Sequence, residues 1–343
     1  MKIAVLCGGL SHEREVSLSG ASCIVRALRE RGHSAVLVDS YLGYPGTFRN
    51  AEEVFSAPWN GEEYRVGEVS PDLDAVRAMR KGNSPSLVGE NVVSVCRAAD
   101  ITFLALHGEE GENGKMQAFL DMEGIRYTGS GYLGSAIAMN KFLTKQLLLQ
   151  SRIGTPEGFI LTRPDPDNPL GFPCVVKPCS GGSSVGTSIV WEEKDYLPAL
   201  QDAFRYEKQV LVERYIRGRE LTVGVLGGRA MPVIEIIPKK GFYDYRNKYQ
   251  SGLTEELCPA PLTASDTERL QRVAEEVFRT LMIDVYCRVD TLMDEKGRLY
   301  CMEANTLPGM TPTSLIPQMA AAMGMTFGEL CEAIIEESLQ KYR

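Results

Sequence analysis

Residues 288–314, RVDTLMDEKGRLYCMEANTLPGMTPTS, constrain this chain more than any other stretch. They read as two strands, VDTLM and LYCME, joined by a turn at Asp294-Glu295-Lys296-Gly297. Oxygen-bearing side chains stand at Asp290, Glu303 and Asn305. Glu303 and Asn305 lie two apart and so share one face of their strand. A turn about Glu295-Lys296 puts Asp290 near the far end of one strand and Glu303 beyond the end of the other. Two carboxylates and an amide gathered there form a hard, all-oxygen donor set, suited to Mg²⁺ or Mn²⁺ bridging nucleotide phosphates. Arg288, two residues from Asp290, adds a fixed cation beside them. A surface hairpin can also carry one Asp and one Glu. The next segment tells against that, because ANTLPGMTPTSL brings Asn, Gly, two Pro and four hydroxyl residues where a strand should end. Loops so built line sites.

Composition narrows the function class. At 343 residues the chain is long enough for two or three domains with a sizeable core. Its net charge of −8 argues against wholesale nucleic-acid or membrane binding, while leaving room for a local cationic pocket. MKIAVLCGG reads as a strand entering a glycine turn rather than a signal peptide, and no apolar run reaches membrane-spanning length. We expect a soluble cytoplasmic protein. The nine cysteines include no C-x-x-C, and Cys96, Cys174, Cys287 and Cys301 sit in apolar runs. They read as buried thiols in a reducing compartment.

Taken in order, KIAVL is an apolar strand, Gly8-Gly9 a turn, Ser17–Arg31 an amphipathic helix stopped at Gly32, and SAVLVD a second strand. This βαβ start predicts a doubly wound parallel sheet with ligands at the carboxyl ends of its strands. The glycines do not spell G-x-G-x-x-G, so no dinucleotide site is expected. Glu15 falls in the first βα loop, at that ligand edge. Residues 40–95 read as an insertion or flap with little regular structure. ITFLAL is the next buried strand, with His107-Gly108 at its carboxyl end, and GKMQAFLDMEG the next helix.

From Gly131 the texture changes. SAIAMNKFLTKQLLLQSRI predicts one long helix carrying Lys141 and Lys145, followed by strands FIL and CVVKP and the loop SGGSSVG. A lysine on a strand before a loop rich in backbone N–H groups and hydroxyls makes a phosphate clamp. It is not a Walker A loop, since the lysine precedes the glycines. Strands on both sides predict a hairpin lid, with Lys177 on the α/β-phosphates and Ser183 at the tip, over the transferring group. VLVERYIRGRELTVGVLGG is a strand, a tight connection and a strand, with Glu213 and Glu220 at its ends, and MPVIEIIP is a further strand. GFYDYRNKYQSG is an aromatic, cationic loop of the kind that closes over a substrate. A charged amphipathic helix over 265–283 and closing helices over 315–342 complete the chain.

An R-x-D strand followed by M-E-A-N-T-x-P-G-M-T-x-x-S-L resembles the metal-binding end of D-alanine–D-alanine ligases, within the ATP-grasp superfamily. S-x-E-R-E-V-S, L-H-G, VVKPCSGGSSVG and F-Y-D-Y-x-x-K-Y match the same family in the same order. The resemblance covers roughly 1–40 and 96–343. It departs at Asn113, where an Asp is usual, and at residues 40–95.

This resemblance implies an α/β (α+β overall) ATP-grasp fold. Its parts would be an N-terminal substrate domain at 1–130, a central subdomain at 131–214 and a C-terminal subdomain at 215–343. It implies ATP-dependent joining of two D-alanines through a D-alanyl phosphate, for peptidoglycan precursor synthesis, by a cytoplasmic homodimer that binds neither nucleic acid nor membrane. By the same resemblance Glu15 holds the first ammonium group. The segment at Glu213 takes the adenine edge, Glu220 the ribose, and Phe242 flanks the nucleotide. Lys141, Lys177 and Lys248 line the triphosphate, and Tyr249 closes onto Ser183 and Glu15. Arg288 stabilises the oxyanion, Ser314 with the backbone at Gly309 holds the second carboxylate, and His107 belongs to the catalytic set. Asp290, Glu303 and Asn305 hold two Mg²⁺ or Mn²⁺ ions. Two alternatives remain open: the same fold with D-lactate or D-serine as acceptor, and a non-catalytic nucleotide-binding relative.

Overall fold

The computed structural model describes residues 1–58, 61, 64, 66, 67, 71–80, 82, 84–182, 184–239 and 254–343. The first sheet is parallel, built from β1 (Lys2–Cys7), β2 (Ser34–Asp39) and β3 (Ile101–Leu104) in the order β2-β1-β3. Ile3, Ala4, Val5 and Leu6 are all fully buried, as an unbroken apolar strand requires when helices cover both its faces. The helix Arg14–Glu30 makes the first crossover.

That helix begins at Arg14 rather than at the expected Ser17. Arg14 N–H donates to Ser11 O and Ser17 N–H to Glu13 O, so the SHEREVS segment is already turning. Two interactions pull it in. The Arg14 guanidinium donates to Gly9 O at 2.7 Å and pairs with Asp39 at the end of β2. Ser17 Oγ donates to Ala105 O at 2.6 Å, just beyond β3.

A second, antiparallel sheet runs β4-β7-β5-β6, from β4 (Gly158–Leu161), β5 (Cys174–Pro178), β6 (Ser188–Val190) and β7 (Val210–Arg214). Tyr196 and Leu200 of the helix Tyr196–Ala203 fill its core against Val176 and Val212. The third sheet is antiparallel, in the order β10-β9-β8-β11-β12. Its strands are β8 (Gly218–Leu226), β9 (Arg229–Pro238), β10 (Thr254–Leu257), β11 (Tyr286–Asp294) and β12 (Leu299–Asn305). Val223 and Val289 of this sheet pack against Leu270 and Val277 of the helix Ala264–Thr280.

The long helix expected after Gly131 is two helices, Tyr132–Met139 and Lys141–Gln150. Asn140 breaks them with φ −87° and ψ 99°, and its side chain accepts the Leu143 N–H as the N-cap of the second. Ala138 and Leu148 from these helices enter the core of the five-stranded sheet. The closing helices, Leu315–Ala322 and Phe327–Gln340, send Ile316, Met319, Leu330 and Ile334 into the core of the first sheet.

All nine cysteines are free thiols. Among the described residues, no helix is long and apolar enough to cross a membrane.

The Arg14–Asp39 pair is nearly dry, with side chains 8% and 15% exposed. Removing one partner of such a pair strands the other charge, which costs about 3–5 kcal/mol. Arg14→Met should lower the urea unfolding midpoint accordingly. A midpoint within error of the parent protein would show that the pair does not hold the first crossover.

Candidate active site

The site is organised by a slip in one strand pair. From the turn outward β11 and β12 pair as Met293↔Leu299, Leu292↔Tyr300 and Thr291↔Cys301, and the register then shifts so that Asp290 faces Glu303. Met302 is the extra residue. Without it Asp290 would face Met302, and the two carboxylates would stand on opposite faces. The bulge brings both to one face, with Asn305 two residues further along it.

Asp290 is held on all sides. Its Oδ1 accepts from Arg288 Nε at 2.8 Å and Thr222 Oγ1 at 2.6 Å. Its Oδ2 accepts from Arg288 Nη2 at 2.7 Å and Asn305 Nδ2 at 3.0 Å. Among the described residues, no three His, Cys, Asp or Glu side chains gather as a metal cluster. The donor set is two carboxylates and a carboxamide, which fits a hard divalent cation once the Asn305 amide turns Oδ1 toward it.

Two cavities meet at this point. The first, about 400 Å³, is lined by His107, Arg288, Asn305, Gly309 and Ser314 of the expected residues. The second, about 530 Å³, lies between the two antiparallel sheets and is lined by Lys177, Glu213, Glu220 and Asp290. Lys141, Gly181, Gly182 and Glu303 line both. The expected residues are thus divided between two adjoining spaces, with one lysine and one carboxylate at the junction.

The base of the glycine-serine loop is pinned there. Lys141 Nζ donates to Gly181 O at 2.7 Å and Lys141 N–H to Cys179 O at 2.9 Å. Glu207 accepts the Ser180 N–H at 2.6 Å and its hydroxyl at 2.9 Å.

In the second cavity Glu213 is 1% exposed and pairs with two lysines, Lys145 at Oε1 and Lys177 at Oε2, each at 2.6 Å. Burial opposes its charge, but Lys177 and then Lys145 overcome this and hold its pKa down. Burial likewise opposes the charge of Lys177, and Glu213, with Glu303, more than offsets it, so its pKa is raised. Glu213 is therefore an interior charge node rather than a surface acid.

In the first cavity the glutamate is Glu13, not Glu15. With the helix starting at Arg14, two residues correspond to about 200° of rotation, so the two side chains diverge. Glu15 Oε2 accepts the Gly67 N–H at 2.6 Å and lines a separate cavity behind the helix. A Cβ built on Gly108 would lie 2.7 Å from Glu13 Oε2, and one on Gly182 3.0 Å from it. The Glu13 carboxylate is therefore wedged between the loop after β3 and the glycine-serine loop.

His107 is buried, and its Nδ1 lies 3.0 Å from Leu307 O. A carbonyl only accepts, so Nδ1 carries the proton, and Nε2 is the acceptor when the ring is neutral. Burial, the largest influence, favours that neutral ring. Glu112 Oε2 accepts the Gly108 N–H at 2.6 Å; burial first, and Glu13 second, push its pKa up to about 8. Gly309 allows close approach to Ser314, whose Oγ would sit 2.8 Å from an added Cβ. Ser314 Oγ accepts the Thr311 N–H at 3.0 Å, which fixes the loop ahead of the helix it begins.

Ser183, Phe242, Lys248 and Tyr249 lie outside the described residues. Glu13, Glu112, Lys145 and Glu207 join the site without having been singled out for it. Glu13 shares a motif with Glu15, and the true helix start separates them. Lys145 sits one turn from Lys141, a spacing that puts both on one helix face. Glu112 lies in the glycine-rich run after His107. Nothing in the sequence marks Glu207.

Two family models match this chain: "D-ala D-ala ligase N-terminus" over residues 2–130 and "D-ala D-ala ligase C-terminus" over residues 165–336. The D-alanine--D-alanine ligase of Pediococcus pentosaceus is 43% identical over 340 residues, 98% of this chain and 97% of that protein. That of Lacticaseibacillus casei is 41% identical over 347 residues, covering 100% of this chain and 97% of its own. Among solved structures, the Bacillus anthracis D-alanine--D-alanine ligase complexed with ATP superposes with a TM-score of 0.76 at 31% identity, over 99% of this chain and 97% of that one.

The raised pKa of Glu112 has a measurable sign. The folded protein keeps the proton up to about pH 8, whereas an unfolded carboxyl releases it near 4.5. This stabilisation is complete below about pH 4.5 and is lost as pH rises toward 8. Glu112→Gln carries no such proton, so the melting temperature of the parent should fall relative to the variant across that window. Parallel melting curves from pH 4 to 9 would refute the shift.

Proposed function

The chain belongs to the D-alanine–D-alanine ligase family, and we propose that its two cavities divide the ligation between amino acids and nucleotide. It joins two D-alanines to D-alanyl-D-alanine with cleavage of ATP to ADP and phosphate. The observation that carries the division of labour is the shared wall. Lys141 and Glu303 line both cavities, so a phosphoryl group passed between them stays beside a cation and a metal-binding carboxylate throughout.

ATP occupies the second cavity. The backbone of 214–216, which lines it, meets the adenine edge, Glu220 takes the ribose hydroxyls, and Lys141 and Lys177 face the phosphates. Asp290, Glu303 and Asn305 would hold Mg²⁺ or Mn²⁺, which supplies charge neutralisation at the phosphates.

The first D-alanine enters the first cavity with its ammonium group on Glu13. Its carboxylate then attacks the γ-phosphate and forms an acylphosphate. The second D-alanine is held by its carboxylate at Ser314 and the Gly309 backbone, and its neutral amine attacks the acyl carbon. Arg288, bidentate on Asp290 and therefore fixed, faces the oxygen where negative charge develops. The acylphosphate has to be kept from water, which would otherwise hydrolyse it.

Phosphate release that requires both ATP and D-alanine, matched one to one by dipeptide, tests the whole reading. Phosphate release without dipeptide would overturn it.

Glu13→Gln should lower kcat/KM for D-alanine by roughly ten- to a hundredfold, the loss of one charge-assisted contact, while Glu15→Gln stays within about twofold. An equal loss in both variants would put the ammonium site elsewhere.

Glu303→Gln should keep its melting temperature and lose most turnover, because an amide replaces a hard carboxylate ligand. Full turnover at saturating Mg²⁺ would remove Glu303 from the metal site.

A further inference from the structure

The Lys145–Glu213–Lys177 cluster is asymmetric in a way the ligation chemistry does not use. Lys177 lines the nucleotide cavity, and Lys145 stands behind its wall, 2% exposed. Three protein oxygens surround the Lys145 ammonium: Glu213 Oε1 at 2.6 Å, Thr155 Oγ1 at 2.8 Å and Pro156 O. A neutral amine has two N–H bonds and could not serve three acceptors, so the geometry calls for the charged form. With all three N–H groups engaged, Lys145 has none to offer a ligand.

Resting on the reading of the second cavity as the nucleotide site, we propose that Lys145 is a positioning residue for ATP: it neutralises Glu213 so that Lys177 faces the phosphates as a cation. Two ammoniums and one carboxylate leave a net charge of +1, and of the two ammoniums only that of Lys177 lines the cavity. Take Lys145 away and the remaining pair is neutral. Lys177 would then have to abandon a buried carboxylate with no other counter-ion among the described residues in order to meet a phosphate. Lys145 thus lowers the cost of moving Lys177 from Glu213 to the nucleotide, without touching the nucleotide itself. Its locked geometry suits that task, since a counter-ion that followed Lys177 could not compensate Glu213.

Titration calorimetry of Mg²⁺-ATP, with D-alanine kinetics alongside, tests this in three proteins. The parent should bind ATP. Lys145→Met should bind it at least about tenfold more weakly, while KM for D-alanine moves by no more than about twofold. Lys145→Met/Glu213→Gln removes the carboxylate along with its counter-ion, restores the net charge and should recover ATP binding to within about threefold of the parent. A parent that binds no ATP overturns the nucleotide reading and this inference with it. A parent that binds ATP and a Lys145→Met variant that binds as tightly overturns this inference alone. So does a double variant that binds no better than the single one, because Lys145 would then only brace the turn at Thr155-Pro156. Should Lys145→Met not fold, the double variant decides: recovered ATP binding supports the charge argument, and a tenfold loss overturns it.

Discussion

One residue too many in β12 sets the geometry on which the rest of the active site depends. Strand pairing has a period of two, so a shift of one residue moves every following side chain to the other face. Met302 makes that shift in the last turnless stretch before the loop, and Glu303 comes to face Asp290 as a result. The remaining parts follow from this face. Arg288 reaches Asp290 in bidentate contact, Thr222 supports it from β8, and Glu303 becomes the carboxylate that both cavities share.

Charge is the second constraint, and the molecule manages it by pairing buried ions in fixed geometry. Arg14 with Asp39, Arg288 with Asp290, and two lysines with Glu213 are each largely shielded from water. Such pairs contribute little net stability compared with apolar packing, but each fixes a direction. Arg14 starts a helix early enough to swing Glu13 into the first cavity. Glu213 holds Lys177 at the wall of the second cavity. Glu112 is the exception: burial and the Glu13 carboxylate outweigh the pull of Arg288 and leave it protonated well above the usual carboxylate range.

Much of this was legible before any coordinates. The apolar runs VDTLM and LYCME with the turn between them gave the hairpin, and KIAVL and SAVLVD gave the parallel sheet, because those patterns reflect burial directly. Lys177 and the glycine-serine loop followed from a strand running into small residues. The failures share a physical origin. Whether Glu13 or Glu15 faces the cavity depends on where a helix begins, and that was decided by Arg14 meeting Asp39 from a different strand. Asn140 broke a helix whose apolar period runs straight through it, since its side chain gains more by capping the next one. The bulge at Met302, the burial of Glu213 and the part played by Glu207 are all long-range, and no local pattern records them.

The closing helices give the fold an unusual order of completion. Leu330, Ile334 and Ile335, close to the end of the chain, lie in the same apolar cluster as Leu6, Ile24 and Phe103 near its beginning. Tyr342 adds a tie, its hydroxyl accepting the Tyr127 N–H at 2.9 Å. A growing polypeptide therefore carries its first sheet with one flank open until the helix Phe327–Gln340 has left the ribosome. A sheet made early is thus sealed late, and in the interval its apolar flank is the surface on which a chaperone or a neighbouring chain would compete with the helix Phe327–Gln340.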